Sequence, residues 1–157
     1  MREYRVIKYD SKGLIIKWDM PIDGTEDDKY EATFKSGQVP HNAFLKCLKA
    51  LAVDVPVHAE LPDDQYSKRI RVAGVSVSHQ SDGGIGVSIQ SVITLNCGQH
   101  MTLNGPHLKS GGEAHESITE ECRFKVLKLM KEAENVLKDV GRQTEIFPIP
   151  AQKKKAS

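Results

Sequence analysis

Apolar residues recur along this chain in two rhythms, one of period two and one close to 3.6. Tyr4 to Tyr9 and Gly13 to Trp18 are short runs rich in Val, Ile and aromatic residues. The polar turn Asp10-Ser11-Lys12-Gly13 lies between them and predicts a β-hairpin. After a polar loop, Tyr30-Glu31-Ala32-Thr33-Phe34-Lys35 alternates and predicts a third strand. From Asn42 to Asp54 the period changes. Phe44, Leu45, Leu48, Leu51, Ala52 and Val55 follow helical spacing, while Lys46 and Lys49 face away. Pro56 is expected to stop this helix, and residues 55–67, with two prolines, are expected to be irregular.

The period-two rhythm then returns. Ile70 and Val72 share one strand face, as do Val75 and Val77, and Gly74 sits where the parity changes. A bulge there would bring both pairs to the same side of the sheet. Gln80-Ser81-Asp82-Gly83-Gly84 predicts a hairpin turn into Ile85, Val87 and Ile89, and Asn96 to Gln99 turns the chain into a strand over His100 to Asn104. From Glu113 to Val140, Ile118, Cys122, Val126, Leu129, Ala133, Val136, Leu137 and Val140 form a continuous apolar stripe. Ser117 with Glu120 reads as a capping box and Gly141 as a C-cap, so this helix is expected to end at residue 140.

The expected architecture is therefore α+β, in the order βββαβββα. About six antiparallel strands form one layer and two helices the other. Residues 1–141 would form one domain and 142–157 a tail. Each half pairs a strand group with a helix, which hints at duplication of 1–56 in 66–141. The same order resembles that of sliding-clamp domains, which also alternate strand groups with helices in two similar halves.

Composition adds limits more than direction. The chain has 157 residues, 39% hydrophobic and 27% charged, with a formal net charge of +1. It shows neither a run of about 18 apolar residues nor an apolar leader, so it is expected to be a cytoplasmic protein without a membrane partner. Cys47, Cys97 and Cys122 are odd in number and widely spaced, which fits reduced thiols rather than a disulfide framework.

Catalytic motifs are not evident. The six histidines form no HExxH, and no nucleophile elbow or phosphate loop is present, so no cofactor is expected. Cys97, His100 and His107 make the one metal-like spacing, around which a small metal-dependent enzyme is an alternative reading. Asp23, Glu26, Asp27 and Asp28 read as a solvated loop. For binding, Lys68, Arg69 and Arg71 open the fourth strand. On a helix-free sheet face Arg69 and Arg71, which share one strand face opposite Ile70 and Val72, would join Ser88 and Gln90, with Lys8, Lys17 and Trp18 or Tyr9 added according to the hairpin register. Cations beside an aromatic on an open sheet suit single-stranded DNA, by phosphate pairing and base stacking.

The tail carries the sharpest motif, Gln143-Thr144-Glu145-Ile146-Phe147. It resembles the peptide by which bacterial replication and repair proteins bind the sliding clamp, a Gln, two variable residues, an aliphatic and Phe. Gln143, Ile146 and Phe147 occupy those positions, although Ile146 stands where Leu is commoner and Thr144 where an apolar residue often sits. The resemblance implies a bacterial sliding clamp as partner, with Lys153, Lys154 and Lys155 attracted to nearby DNA phosphate. The alternative is that Ile146 and Phe147 pack back on the core. Residues 68–147, through Val72-Ala73-Gly74-Val75-Ser76, Gly86-Val87 and Leu103-Asn104-Gly105-Pro106, also resemble small proteins of bacteriophage early regions. The expected function is a non-enzymatic accessory protein of DNA replication or recombination, from a phage or other mobile element. A self-assembling, clamp-like ring or scaffold is the other alternative.

Overall fold

The expected strands assemble into one sheet. The computed structural model describes residues 2–24, 28–61, 68–111 and 117–146, with side chains described as far as Val140. The strands are β1 (Glu3–Asp10), β2 (Gly13–Pro21), β3 (Lys29–Ser36), β4 (Ile70–His79), β5 (Ile85–Thr94), β6 (His100–Asn104) and the short β7 (Leu108–Lys109). All seven lie in one sheet, in the order β3-β2-β1-β4-β5-β6, with β7 paired to β5 beyond the end of β6. Every pairing between these strands is antiparallel. The fold is α+β, as the two rhythms predict. The order is symmetric about the central β1–β4 pair, with one three-strand meander on each side.

The two strand pairs flanking Gly74 do share one face. The β4–β5 register shifts between Val72 and Gly74, so Ile70 and Val72 stay in phase with Val75 and Val77. Gly74 is also a close approach, because a Cβ there would strike the Ile7 carbonyl and lie 2.7 Å from the Lys8 Cα. Only glycine lets β4 come this near to β1.

The face built from Ile7, Leu14, Ile16, Val72, Val75, Val77, Val87 and Ile89 is covered by the helices, and these residues are buried. Helix α1 (Asn42–Ala50) contributes Phe44 and Leu48, and α3 (Glu120–Ile146) contributes Cys122, Val126, Leu129, Met130 and Ala133. Burying side chains of this size stabilises the fold by about 1.5–3 kcal/mol each for the larger ones. One polar group bridges the layers. The Tyr4 hydroxyl donates to Glu134 Oε1 at 2.6 Å, and Arg2 pairs with the other carboxylate oxygen while lying 5.3 Å from the Trp18 ring centroid. Burial pushes the Tyr4 hydroxyl up and works the same way on Glu134. The hydrogen bonds from Tyr4 and Arg2 outweigh it there and hold the Glu134 carboxyl below its usual range.

Three helix boundaries differ from expectation. Pro56 does not end the first helical segment. A 3-10 turn (Leu51–Val53) tightens the chain after α1, and α2 (Asp54–His58) begins anew with Pro56 in its first turn. A first-turn residue needs no N–H for the helix, so proline is tolerated there. At α3 the cap is Thr119, whose Oγ1 accepts the Cys122 N–H at 3.1 Å; Ser117 instead bridges to Lys109. At the other end Gly141 does not stop the helix, which runs on to Ile146. Glycine inside a helix costs about 1 kcal/mol relative to alanine, and the good helix formers Arg142, Gln143 and Glu145 follow it.

Candidate functional site: an open sheet face and a buried side-chain cluster

Alternate residues of the same strands point away from the helices, and this open face is where Lys17 and Arg71 are found. Paired residues share a face, so the register places Lys8, Val6, Lys17 and Ser76 together, and continues through Ser88, Gln90 and Asn104. Arg71 pairs with Val92 on the same side and is exposed. Lys68 and Arg69 are exposed too, but they lie in the turn that leads into β4, not on the strand.

Trp18 is a correction. It pairs with Tyr4 and Ala32 on the helix-covered face, partly buried against the core, and its Nε1 is buried without a hydrogen-bond partner. Tyr9, paired with Leu14, also packs on the core. The reason is plain alternation. Leu14, Ile16 and Trp18 share the parity that faces the helices, and Lys17 has the other. Among the described strand residues, the open face thus offers cations but no Trp, Tyr or Phe for base stacking.

The two halves of this face differ in charge. On β1–β3, Lys8 lies 3.4 Å from Asp10, Lys17 3.8 Å from Glu31, Lys29 2.7 Å from Glu3 and Arg5 3.7 Å from Asp19. On β4–β6 the charged strand residue is Arg71, set among Ser76, Ser78, Ser88, Gln90, Thr102 and Asn104. Arg71 also lines a cleft of about 560 Å³ between the tip of the first hairpin and α1, walled by Tyr9, Leu45, Leu48 and Ile70.

The Cys97, His100 and His107 spacing is taken apart by the fold. His100 sits beside Thr94, with 3.2 Å between Nδ1 and Oγ1, and His107 lies 2.8 Å from Ser78 Oγ, against Gly86. Thr94 and Gly86 are eight residues apart on β5, roughly 26 Å at strand rise. These histidines cannot ligate one ion.

A different cluster does converge. Asp54, His58 and Cys122 bring one ligand atom each to within 4.8 Å of one another. Asp54 and His58 are i and i+4 on α2, so they share a helix face, and Cys122 lies in the first turn of α3. Cys122 is fully buried and His58 only 9% exposed. Burial pushes the Cys122 thiol up to about 12 and lowers the His58 imidazole, which a nearby Asp54 charge only partly offsets. Asp54 Oδ2 accepts from Lys125 Nζ at 2.9 Å. His58 Nδ1 is buried and has no partner among the described residues. Reading Pro56 as a helix stop hides this cluster, because it leaves His58 in a loop. Asp54-x3-His58 with proline in the first helical turn is the signal that would have found it.

No protein-family model, curated protein or solved structure matches the chain. Among the described residues, no helix is long and apolar enough to cross a membrane.

Of the tail residues, Gln143 and Ile146 belong to the backbone of α3. Phe147, Lys153, Lys154 and Lys155 lie outside the described residues.

Proposed function

We propose that this protein is a non-enzymatic accessory factor of DNA replication or recombination, of phage or other mobile-element origin, acting in the cytoplasm of the host. In this reading the open sheet face contacts DNA and the C-terminal segment contacts a bacterial sliding clamp. The observation that carries it is the convergence of Lys8, Lys17 and Arg71 on a face turned away from the helices, with Lys68 and Arg69 exposed at its margin. The ion pairs of Lys8 and Lys17 do not oppose this. Exposed pairs of this kind contribute only about 0–1 kcal/mol, so a phosphate can exchange for Asp10 or Glu31. With no Trp, Tyr or Phe on the described strands of the face, the main contacts are to the phosphate backbone, and sequence preference is weak.

The clamp half rests on Gln143, Ile146 and Phe147. Binding as an extended peptide requires the last helical turn to unwind, and Gly141, a poor helix former, lies just before that turn.

Two measurements separate these halves. Arg69→Ala with Arg71→Ala should weaken DNA binding and flatten its dependence on salt by roughly 0.7 per lost phosphate contact on a single strand. Unchanged affinity and slope would remove the sheet from the reading. A chain ending at Arg142 should lose sliding-clamp binding while keeping DNA binding. If neither full-length nor shortened protein binds the clamp, the tail has no recruiting role.

A further inference from the structure

We propose that Asp54, His58 and Cys122 form a binding site for one zinc ion, which ties α2 to the start of α3 on the helix-covered side of the sheet. This goes beyond the DNA-binding reading and does not depend on it.

The core alone leaves the His58 ring unsatisfied. A buried ring nitrogen without a partner costs about 1–3 kcal/mol, and a position that served only packing would be filled as well by an apolar residue. His58 Nδ1 is in that position, in a side chain more than nine-tenths buried. Beside this ring stand a thiol and a carboxylate, and one ring nitrogen, the sulfur and a carboxylate oxygen lie within 4.8 Å of one another. A tetrahedral zinc with bonds of about 2.0–2.3 Å holds its ligands about 3.5 Å apart. Side-chain rotation is enough to close the gap. Sulfur, nitrogen and oxygen in one set favour a borderline-soft ion over magnesium or calcium, which take oxygen ligands.

Two local features shape the affinity. The first is the thiol, which must lose its proton as the zinc–sulfur bond forms, so binding releases one proton to solvent. The second is Lys125. With Lys125 paired to Asp54 and the thiol and imidazole neutral, the metal-free cluster has no net charge. Adding a divalent ion and removing the thiol proton raises it by one. The Lys125 ammonium therefore opposes the metal, holding Asp54 Oδ2 while the other carboxylate oxygen remains for the ion. Three protein ligands leave a fourth position for water.

The test uses chelator-treated full-length protein titrated with Co²⁺ as a spectroscopic stand-in, then with Zn²⁺. One Co²⁺ per chain should give a thiolate-to-cobalt charge-transfer band that Zn²⁺ abolishes. Cys122→Ser should lose the band, whereas Cys47→Ser with Cys97→Ser should keep it. Because Cys122→Ser alters a fully buried position, Lys125→Met provides a second arm. It removes the opposing charge and should tighten Co²⁺ binding by roughly tenfold or more. No stoichiometric metal in the wild-type chain would overturn the site. So would a band that survives Cys122→Ser, or an affinity that Lys125→Met leaves unchanged.

Discussion

The two faces of the sheet are made from alternate residues of the same strands, and they are held by different physics. Under the helices, Ile7, Ile16, Val75 and Val87 meet Phe44, Val126 and Leu129 in a dry layer, where area removed from water sets the energy. On the other side, Lys8, Lys17, Ser76 and Gln90 face solvent, where screening and side-chain entropy reduce each contact to little. Lys17 and Trp18 show how sharp the divide is. One peptide bond separates a partly exposed cation from a ring packed against the core. Polar groups on the covered side consequently matter more than many on the open side, since water is not there to replace a lost partner.

That contrast can be pressed hardest at the centre of the covered layer. Leu129→Ala should lower the free energy of unfolding by about 2–5 kcal/mol, read from urea denaturation. A loss below about 1 kcal/mol would mean that the helices are not packed as described. Next comes the polar bridge between layers. Tyr4→Phe takes away one hydrogen bond to the Glu134 carboxylate and should cost about 1.5–3 kcal/mol, detectable in the same assay.

A smaller effect follows from His58, measured in metal-free protein. Its imidazole is harder to protonate folded than unfolded. The unfolded chain therefore takes up a proton first as pH falls below the ordinary value of 6.5, and stability declines from there down to the depressed folded value. Above that window His58 contributes no slope. His58→Gln should flatten the pH dependence between neutrality and mild acid, and an unaltered profile would put His58 in contact with water. Smallest of all, Lys17→Ala should shift stability by no more than about 0.5 kcal/mol, while weakening DNA binding. A large stability loss there would make the open face structural.

How far the sequence could be read follows the same division. Strand alternation and the long stripe of α3 were legible because burial on one side imposes a period that few residues interrupt. The Gly74 bulge was legible because it is a break in parity, and only one register repairs it. What was not legible depended on local geometry that propensity does not encode. Pro56 reads as a stop unless a 3-10 turn is known to restart the helix just before it, and His58 goes with it. Gly141 reads as a cap unless the residues beyond it are weighed as helix formers. Trp18 was a different kind of miss, since the parity of Leu14 and Ile16 already fixed its side. Cys97, His100 and His107 looked close in sequence, but a strand in between keeps them apart.

The symmetric strand order has a consequence for how the chain assembles. Within each meander every pairing joins neighbours in sequence, whereas the β1–β4 ladder sets just Val6, Ile7 and Lys8 opposite Ser76, Val75 and Gly74, with the His79 ring adding a contact to the Tyr4 carbonyl. Local hairpins close quickly and distant pairings slowly. The two meanders should therefore form as separate units early in folding, and the narrow seam between them late, once the helices draw the halves together. A chain cut within residues 62–67 would then yield two fragments that recover the native sheet on mixing, joined across that seam.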